Sequence, residues 1–218
     1  LSALYALPFG ANLGAISTTL LGGWEIGTII NARSGIPMDI RVQRNDVVYV
    51  DANGLYYNSP AAGRTAIINT LGGGASRNVR RPDLGPGVNP FLNSDRTFLN
   101  PAAFTIPKPG TAGNLMRGAL HGPGFRQVDF VVRKRFHVNE GSNVEFRAEF
   151  FNVFNLTNFA NPPVTLPNAL GTSTNQIQPG QPYTAAAAGS FGIMNQTVER
   201  TVGLGTNRQI QFALRYNF

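Results

Sequence analysis

The chain has 218 residues, 42% hydrophobic and only 13% charged, which suits a folded chain and not a charged, disordered one. It has no cysteine, so disulfides and thiolate metal sites are excluded. Its net charge of +7 is spread along the chain, with Arg133-Lys134-Arg135 the longest basic run, a pattern that argues against a nucleic-acid partner. No apolar stretch approaches the roughly 18 residues of a membrane helix. The sequence opens on Leu1 inside what already reads as a strand and shows no signal peptide, so the expectation is a piece of a longer protein that lacks its N-terminal part.

Two-residue alternation recurs along the chain, and helical periodicity is nearly absent. The opening "LSALYALPFG" places Ala3, Tyr5, Leu7 and Phe9 on one face of a strand, with Pro8 near its end. "GWEIGTIINARSG" sets Trp24, Ile26, Thr28, Ile30 and Ala32 against Glu25, Gly27, Ile29, Asn31 and Arg33. After a long Gly/Pro/Asn-rich stretch, "FRQVDFVVRKRFHV" puts Val128, Phe130, Val132, Phe136 and Val138 on one face. Gln127, Asp129, Arg133, Arg135 and His137 take the other. "NEGS" at 139–142 is a short turn that predicts a hairpin with the next strand. That strand, read over 144–154 in "SNVEFRAEFFNVFN", has Val144, Phe146, Ala148 and Phe150 opposite Glu145, Arg147 and Glu149. The chain closes on "RQIQFALRYNF", with Ile210, Phe212, Leu214, Tyr216 and Phe218 alternating with polar residues and Ala213.

The connections are unequal. Those at about 37–124 and 158–207 are long, and the others are moderate or short. Structureless loops of such length are rare in compact soluble domains. Their order places all long connections at one end of the sheet, as in an outer-membrane barrel with short periplasmic turns and long outer loops. A crossing strand needs about 9–11 tilted residues with apolar side chains outward. The fold class is therefore all-β: antiparallel strands of a transmembrane outer-membrane β-barrel, as a C-terminal fragment of about five strands with two long extracellular loops. Residues 1–218 form one part of that barrel. On this reading Asp129, Arg133, Glu145, Arg147 and Glu149 face the lumen, where hydration removes most of the cost of burying charge. Trp24 and Tyr216 fall near the periplasmic ends, where aromatic girdles sit. Phe150 and Phe154 share the lipid parity, and Phe151 and Val153 the lumen parity. Lys134 sits on the apolar face, where a lipid-facing lysine costs roughly 2–4 kcal/mol at the midplane. It must snorkel to the nearer interface or be turned inward by a bulge. Five strands cannot close a barrel, since the smallest bacterial ones have about eight, so further strands are expected upstream. The rival is a soluble antiparallel sandwich, whose strands also alternate.

Catalytic patterns are wanting. His121 and His137 are the only histidines and do not stand at ligand spacing, so no metal site and no cofactor are expected. "GGGASR" at 72–77 lacks the Lys-Ser/Thr of a phosphate loop and reads as a loop tip. No nucleophile-elbow pattern surrounds any serine. Asp46, Asp51 and Asn53 could gather a calcium ion, though Asx-rich turns are far commoner. Arg77, Arg80 and Arg81 could meet lipopolysaccharide phosphates or an anionic ligand, against the commoner case of a solvated basic loop.

Several strings carry a family resemblance: "YALPFG", "LGGWEIGTIINARSGIP", "NPAAF", "RGALHGPGFRQVDF", "FRAEFFNVFNLTNFANP" and "RQIQFALRYNF". Together they resemble the C-terminal barrel of TonB-dependent receptors, and within these the Oar-like, acidobacterial group that begins with a carboxypeptidase-regulatory-like domain and a plug. The similarity runs from about Tyr5 to Phe218 and is weakest at 38–95 and 164–190. It implies active uptake of a small ligand across the Gram-negative outer membrane, without catalysis, through a barrel of about 22 strands with a plugged lumen. The plug and the TonB-contacting segment would lie upstream. The implied partners are outer-membrane lipid, lipopolysaccharide, TonB, an unidentified ligand and the barrel-assembly machinery. That machinery would read Ile210, Phe212, Leu214, Tyr216 and Phe218 as the terminal signal. A non-transporting adhesion or surface-interaction barrel is the alternative within the same fold.

Overall fold

The computed structural model describes residues 1–9, 19–70, 80–92, 94, 96–171, 176–198, 205 and 207–218. Its strands are, in chain order, β1 (Ser2–Ala6), β2 (Trp24–Arg33), β3 (Pro37–Met38), β4 (Arg41–Val42), β5 (Val47–Val50), β6 (Tyr56–Tyr57) and β7 (Thr65–Ile68). β8 (Asp83–Leu84), β9 (Phe104–Thr105), β10 (Leu120–His121), β11 (Phe125–Asn139), β12 (Ser142–Phe151), β13 (Thr165–Leu166) and β14 (Gln209–Asn217) follow, and the few helical turns include a 3-10 turn at Pro101–Ala103 and a short helix, α1 (Ala185–Ala188), before β14. The protein is thus all-β and mostly antiparallel. It divides into two compact units, one of 1–35, 124–160 and 197–218, the other of 36–123 and 161–196.

The first unit is a sheet of order β1-β2-β11-β12-β14, and every neighbouring pair is antiparallel. The alternating segments of the sequence carry these strands. β2, β12 and β14 have 10, 10 and 9 residues, long enough to cross a bilayer when tilted. The sheet is open, with β1 and β14 as its edges, and the described strands close no barrel.

Register sorts the two faces. The rows Glu25–Arg133–Arg147–Ala213 and Gly27–Val131–Glu149–Gln211 lie on one face, and Trp24–Lys134–Phe146–Leu214 on the other. A Cβ on Gly27 would stand 2.8 Å from Val131 Cγ1, so only glycine lets Val131 and Leu4 lie over this strand.

β12 stops at Phe151, three residues short of the strand expected from alternation. Asn152 and Asn155 adopt φ of 50° and 52°, left-handed values that asparagine tolerates better than most residues. The buried Asn152 side chain accepts from Leu156 N at 2.9 Å and donates to Leu156 O at 2.8 Å. Parity therefore says nothing about Val153 and Phe154, which lie in the turn beyond the strand.

The second unit corrects the expectation of two structureless loops. The connections after β2 and after β12 fold together around one core that includes Val42, Val48, Leu99, Phe104, Leu166, Leu170, Tyr183 and Phe191. β13, from the second connection, pairs in parallel with β4 from the first. Phe104 and Phe191 meet edge to face at 5.3 Å, and Tyr183 N donates to Phe104 O at 3.0 Å. Gly192 (φ 74°) brings its backbone so near Leu99 that an added Cβ would lie 2.7 Å from Leu99 Cβ. β5, β6 and β7 form a three-stranded sheet, and β3/β10 and β8/β9 pair as short ladders.

Candidate functional site

The expected lumen residues Asp129, Arg133, Glu145, Arg147 and Glu149 occupy the polar face of the five-stranded sheet. Arg133 and Arg147 stand directly opposite each other, a like-charge pair that would cost energy without other partners. Each turns elsewhere. Arg133 pairs with Glu25 on β2, and Arg147 Nη2 lies 2.7 Å from Glu149 on its own strand. Glu145 is taken by Arg135 of β11 at 2.9 Å, so Arg147 does not bridge both glutamates as its position in sequence suggests. Asp129 stays outside this ladder. Its Oδ1 accepts from Gln127 Nε2 at 2.7 Å and Asn152 N at 2.9 Å, anchoring the turn that ends β12. Gln127 Oε1 in turn accepts from Gly205 N at 2.6 Å.

The opposite face is apolar and aromatic. Phe146 meets Trp24 edge to face at 6.5 Å and stacks on Phe212 at 6.3 Å; Tyr216 stacks on Phe218 at 6.0 Å. Ile210, Phe212, Leu214 and Tyr216 are all exposed along β14, and Phe218, one residue past the strand, is 97% exposed. Trp24 and Tyr216 lie near the end of the sheet that carries the tight 139–142 turn.

Lys134 shares that apolar face yet is only 1% exposed. The register runs unshifted from Phe130 to His137, so no bulge turns it inward. Its ammonium donates to Leu20 O at 2.6 Å and Gly22 O at 2.7 Å, with the Trp24 and Phe136 rings 5.1 and 4.9 Å away. The side chain thus runs toward the turn-bearing end, where the segment before β2 supplies carbonyls to replace water. Sequence periodicity marked Lys134 as misplaced but contained no sign of those acceptors.

In the second unit the loop candidates are engaged by the protein. Asp46 is paired with Arg80 and accepts from Thr70 Oγ1 at 2.9 Å. Asp51 closes a turn: its Oδ1 accepts from Asn53 N and Leu55 N, both at 2.9 Å, and its Oδ2 from Tyr57 Oη at 3.1 Å. The Leu55 amide leads the bonds that hold its carboxyl below the usual aspartate range. Asp46 and Asp51 flank opposite ends of β5, so the triad with Asn53 does not converge on a cation. Arg81 lies 3.8 Å from Asp39, which also binds Arg41. Arg77 and the "GGGASR" stretch lie outside the described residues.

One cation was missed by the sequence reading. Arg44 is 4% exposed and donates to the carbonyls of Asn69, Pro107, Lys108 and Thr111 and to Asn69 Oδ1, at 2.9–3.3 Å. Burial, followed by Arg80, presses its pKa below the ordinary value. It fastens three loop segments at one point, and only folding brings those segments together. Tyr183 is likewise buried, which pushes its hydroxyl pKa well up, and it donates to Pro167 O at 2.7 Å. An open cleft of ≈ 540 Å³ is lined by Asn89, Phe91, Leu92, Ser94, Phe98, His121 and Met194.

A sheet with strands of crossing length, one apolar-aromatic face and one ion-paired face fits the wall of a membrane β-structure. The family model described as "Outer membrane beta barrel domain" matches residues 1–211, and the chain belongs to that family. It is an outer-membrane protein, and this excludes the soluble sandwich. No curated protein and no solved structure matches the chain.

Proposed function

We propose that the chain is the C-terminal part of the barrel of a TonB-dependent receptor, Oar-like in its sequence strings, that captures a small ligand outside the cell and passes it inward without catalysis. The polar face then lines the lumen and the apolar face meets lipid. The observation that carries this reading is the pairing of a two-faced sheet with a folded unit whose two connections both leave the end opposite the tight 139–142 turn. In outer-membrane barrels that end is extracellular. The second unit is then a preformed outer surface for ligand and lipopolysaccharide, and a plug and TonB-contacting segment belong upstream.

The exposed row Ile210, Phe212, Leu214, Tyr216 and Phe218 serves on this reading as the signal for the barrel-assembly machinery. Deleting Phe218 should lower the inserted fraction in cells, and normal insertion of the deletion would remove that role. The uptake reading is tested by cross-linking the full-length protein to TonB in living cells. Adducts that depend on an energised inner membrane are expected. A full-length protein that inserts but never cross-links would instead leave an adhesion or surface-interaction barrel, a role that the independent core of the second unit would also serve.

A further inference from the structure

On the polar face of the sheet the carboxylates are all committed. Glu25, Glu145 and Glu149 each hold an arginine, and Asp129 accepts from Gln127 and the Asn152 backbone. Two guanidiniums of the same face, Arg33 and Arg215, have no carboxylate or hydrogen-bond partner among the described residues. The unspent charge of this wall is therefore positive.

Arg33 is the better placed of the two. It is the last residue of β2, at the end from which the long connections leave, and stands opposite Phe125 in the register. Its guanidinium carbon lies 4.8 Å from the centroid of the buried Phe125 ring, a cation–π contact that orients the group without using its N–H donors. Asn31, two residues back on the same face, adds an amide. Asn31, Ala32, Arg33 and Phe125 border a cleft of ≈ 240 Å³.

A guanidinium fork matches the two oxygens of a carboxylate, and the Phe125 ring on the same face offers an apolar floor to whatever carries it. One guanidinium and one neutral amide suit a monoanion, where a phosphate dianion would call for a cluster of cations. We infer that Arg33, with Asn31 and Phe125, is a binding site for the carboxylate of a small organic acid. Its role as an early contact for an entering ligand rests on the uptake reading above; the binding itself does not.

The probe is benzoate, with benzamide as its uncharged isostere, added to the full-length protein folded in detergent and followed by saturation-transfer NMR. Heat-modifiable migration on a gel checks that every variant is folded. Benzoate should bind saturably and benzamide should not. R33Q should weaken benzoate at least tenfold, R33K should fall between, and R215Q should match the parent. Equal binding of benzamide, an unchanged R33Q, or an equal loss in R215Q would each overturn the site. Inorganic phosphate that displaced benzoate at equal concentration would overturn the carboxylate assignment. Because TonB cross-linking is read in cells and this binding in detergent, failure of one leaves the other standing.

Discussion

The sheet and the loop unit use similar apolar residues to opposite ends. On β14, Phe212 and Leu214 are 68% and 74% exposed; in the loop unit, Phe104 is fully buried among its own neighbours. On the proposed reading the sheet leaves half of its packing to the lipid, so its outer face needs alternation and aromatic contacts but no second layer. The loop unit sits in water by the reading above and must supply every partner itself. Charge does not follow that division: both units hold ion pairs, and each sinks a cation among carbonyls, Lys134 in the sheet and Arg44 in the loop unit.

The largest effect that would test this contrast is Phe104→Ala. Removing a buried phenyl typically costs about 3–5 kcal/mol, and the loss should appear as faster hydrogen exchange in the loop unit, with the five-stranded sheet still protected. Exchange that rises equally in both would mean that they do not unfold separately. Arg44→Met should follow closely. It strands several buried carbonyls at roughly 1–3 kcal/mol for each unsatisfied group, softened by relaxation, and the segments around Asn69 and Pro107 should become protease-sensitive first. A variant as resistant as the parent would show that water reaches those carbonyls.

On the sheet, Lys134→Ala removes the donor from Leu20 O and Gly22 O, with an expected loss of roughly 1–3 kcal/mol in urea unfolding from vesicles and faster exchange at residues 19–22. Unchanged stability would mean that this turn needs no anchor. The smallest effect concerns pH. Asp51 has a depressed folded pKa, so its contribution is present above the unfolded value and fades as pH falls through the folded one. The Leu55 amide should therefore lose exchange protection only in acid, below the ordinary aspartate range. Asp51→Asn should abolish that dependence; if it persisted, another carboxylate would be responsible.

The sheet was legible in sequence because a strand's side chains alternate with a period of two, and lipid on one side makes that period chemical. The Asn152 turn was misread as further strand because "FFNVFN" continues the apolar pattern while its backbone turns left-handed. The loop unit was hidden for a different reason: its core residues lie far apart in the chain, as Phe104 and Phe191 do, and no local pattern relates them.

Alternation, composition and the lack of cysteine by themselves determined an all-β membrane wall with a polar and an apolar face, since each strand's choice of face needs only its own neighbours. Which arginine meets which glutamate, where Lys134 finds its acceptors, and that two long loops share one core were decided by tertiary structure alone. Those outcomes depend on register and on contacts between distant segments, and folding settles them by leaving few buried polar groups without partners.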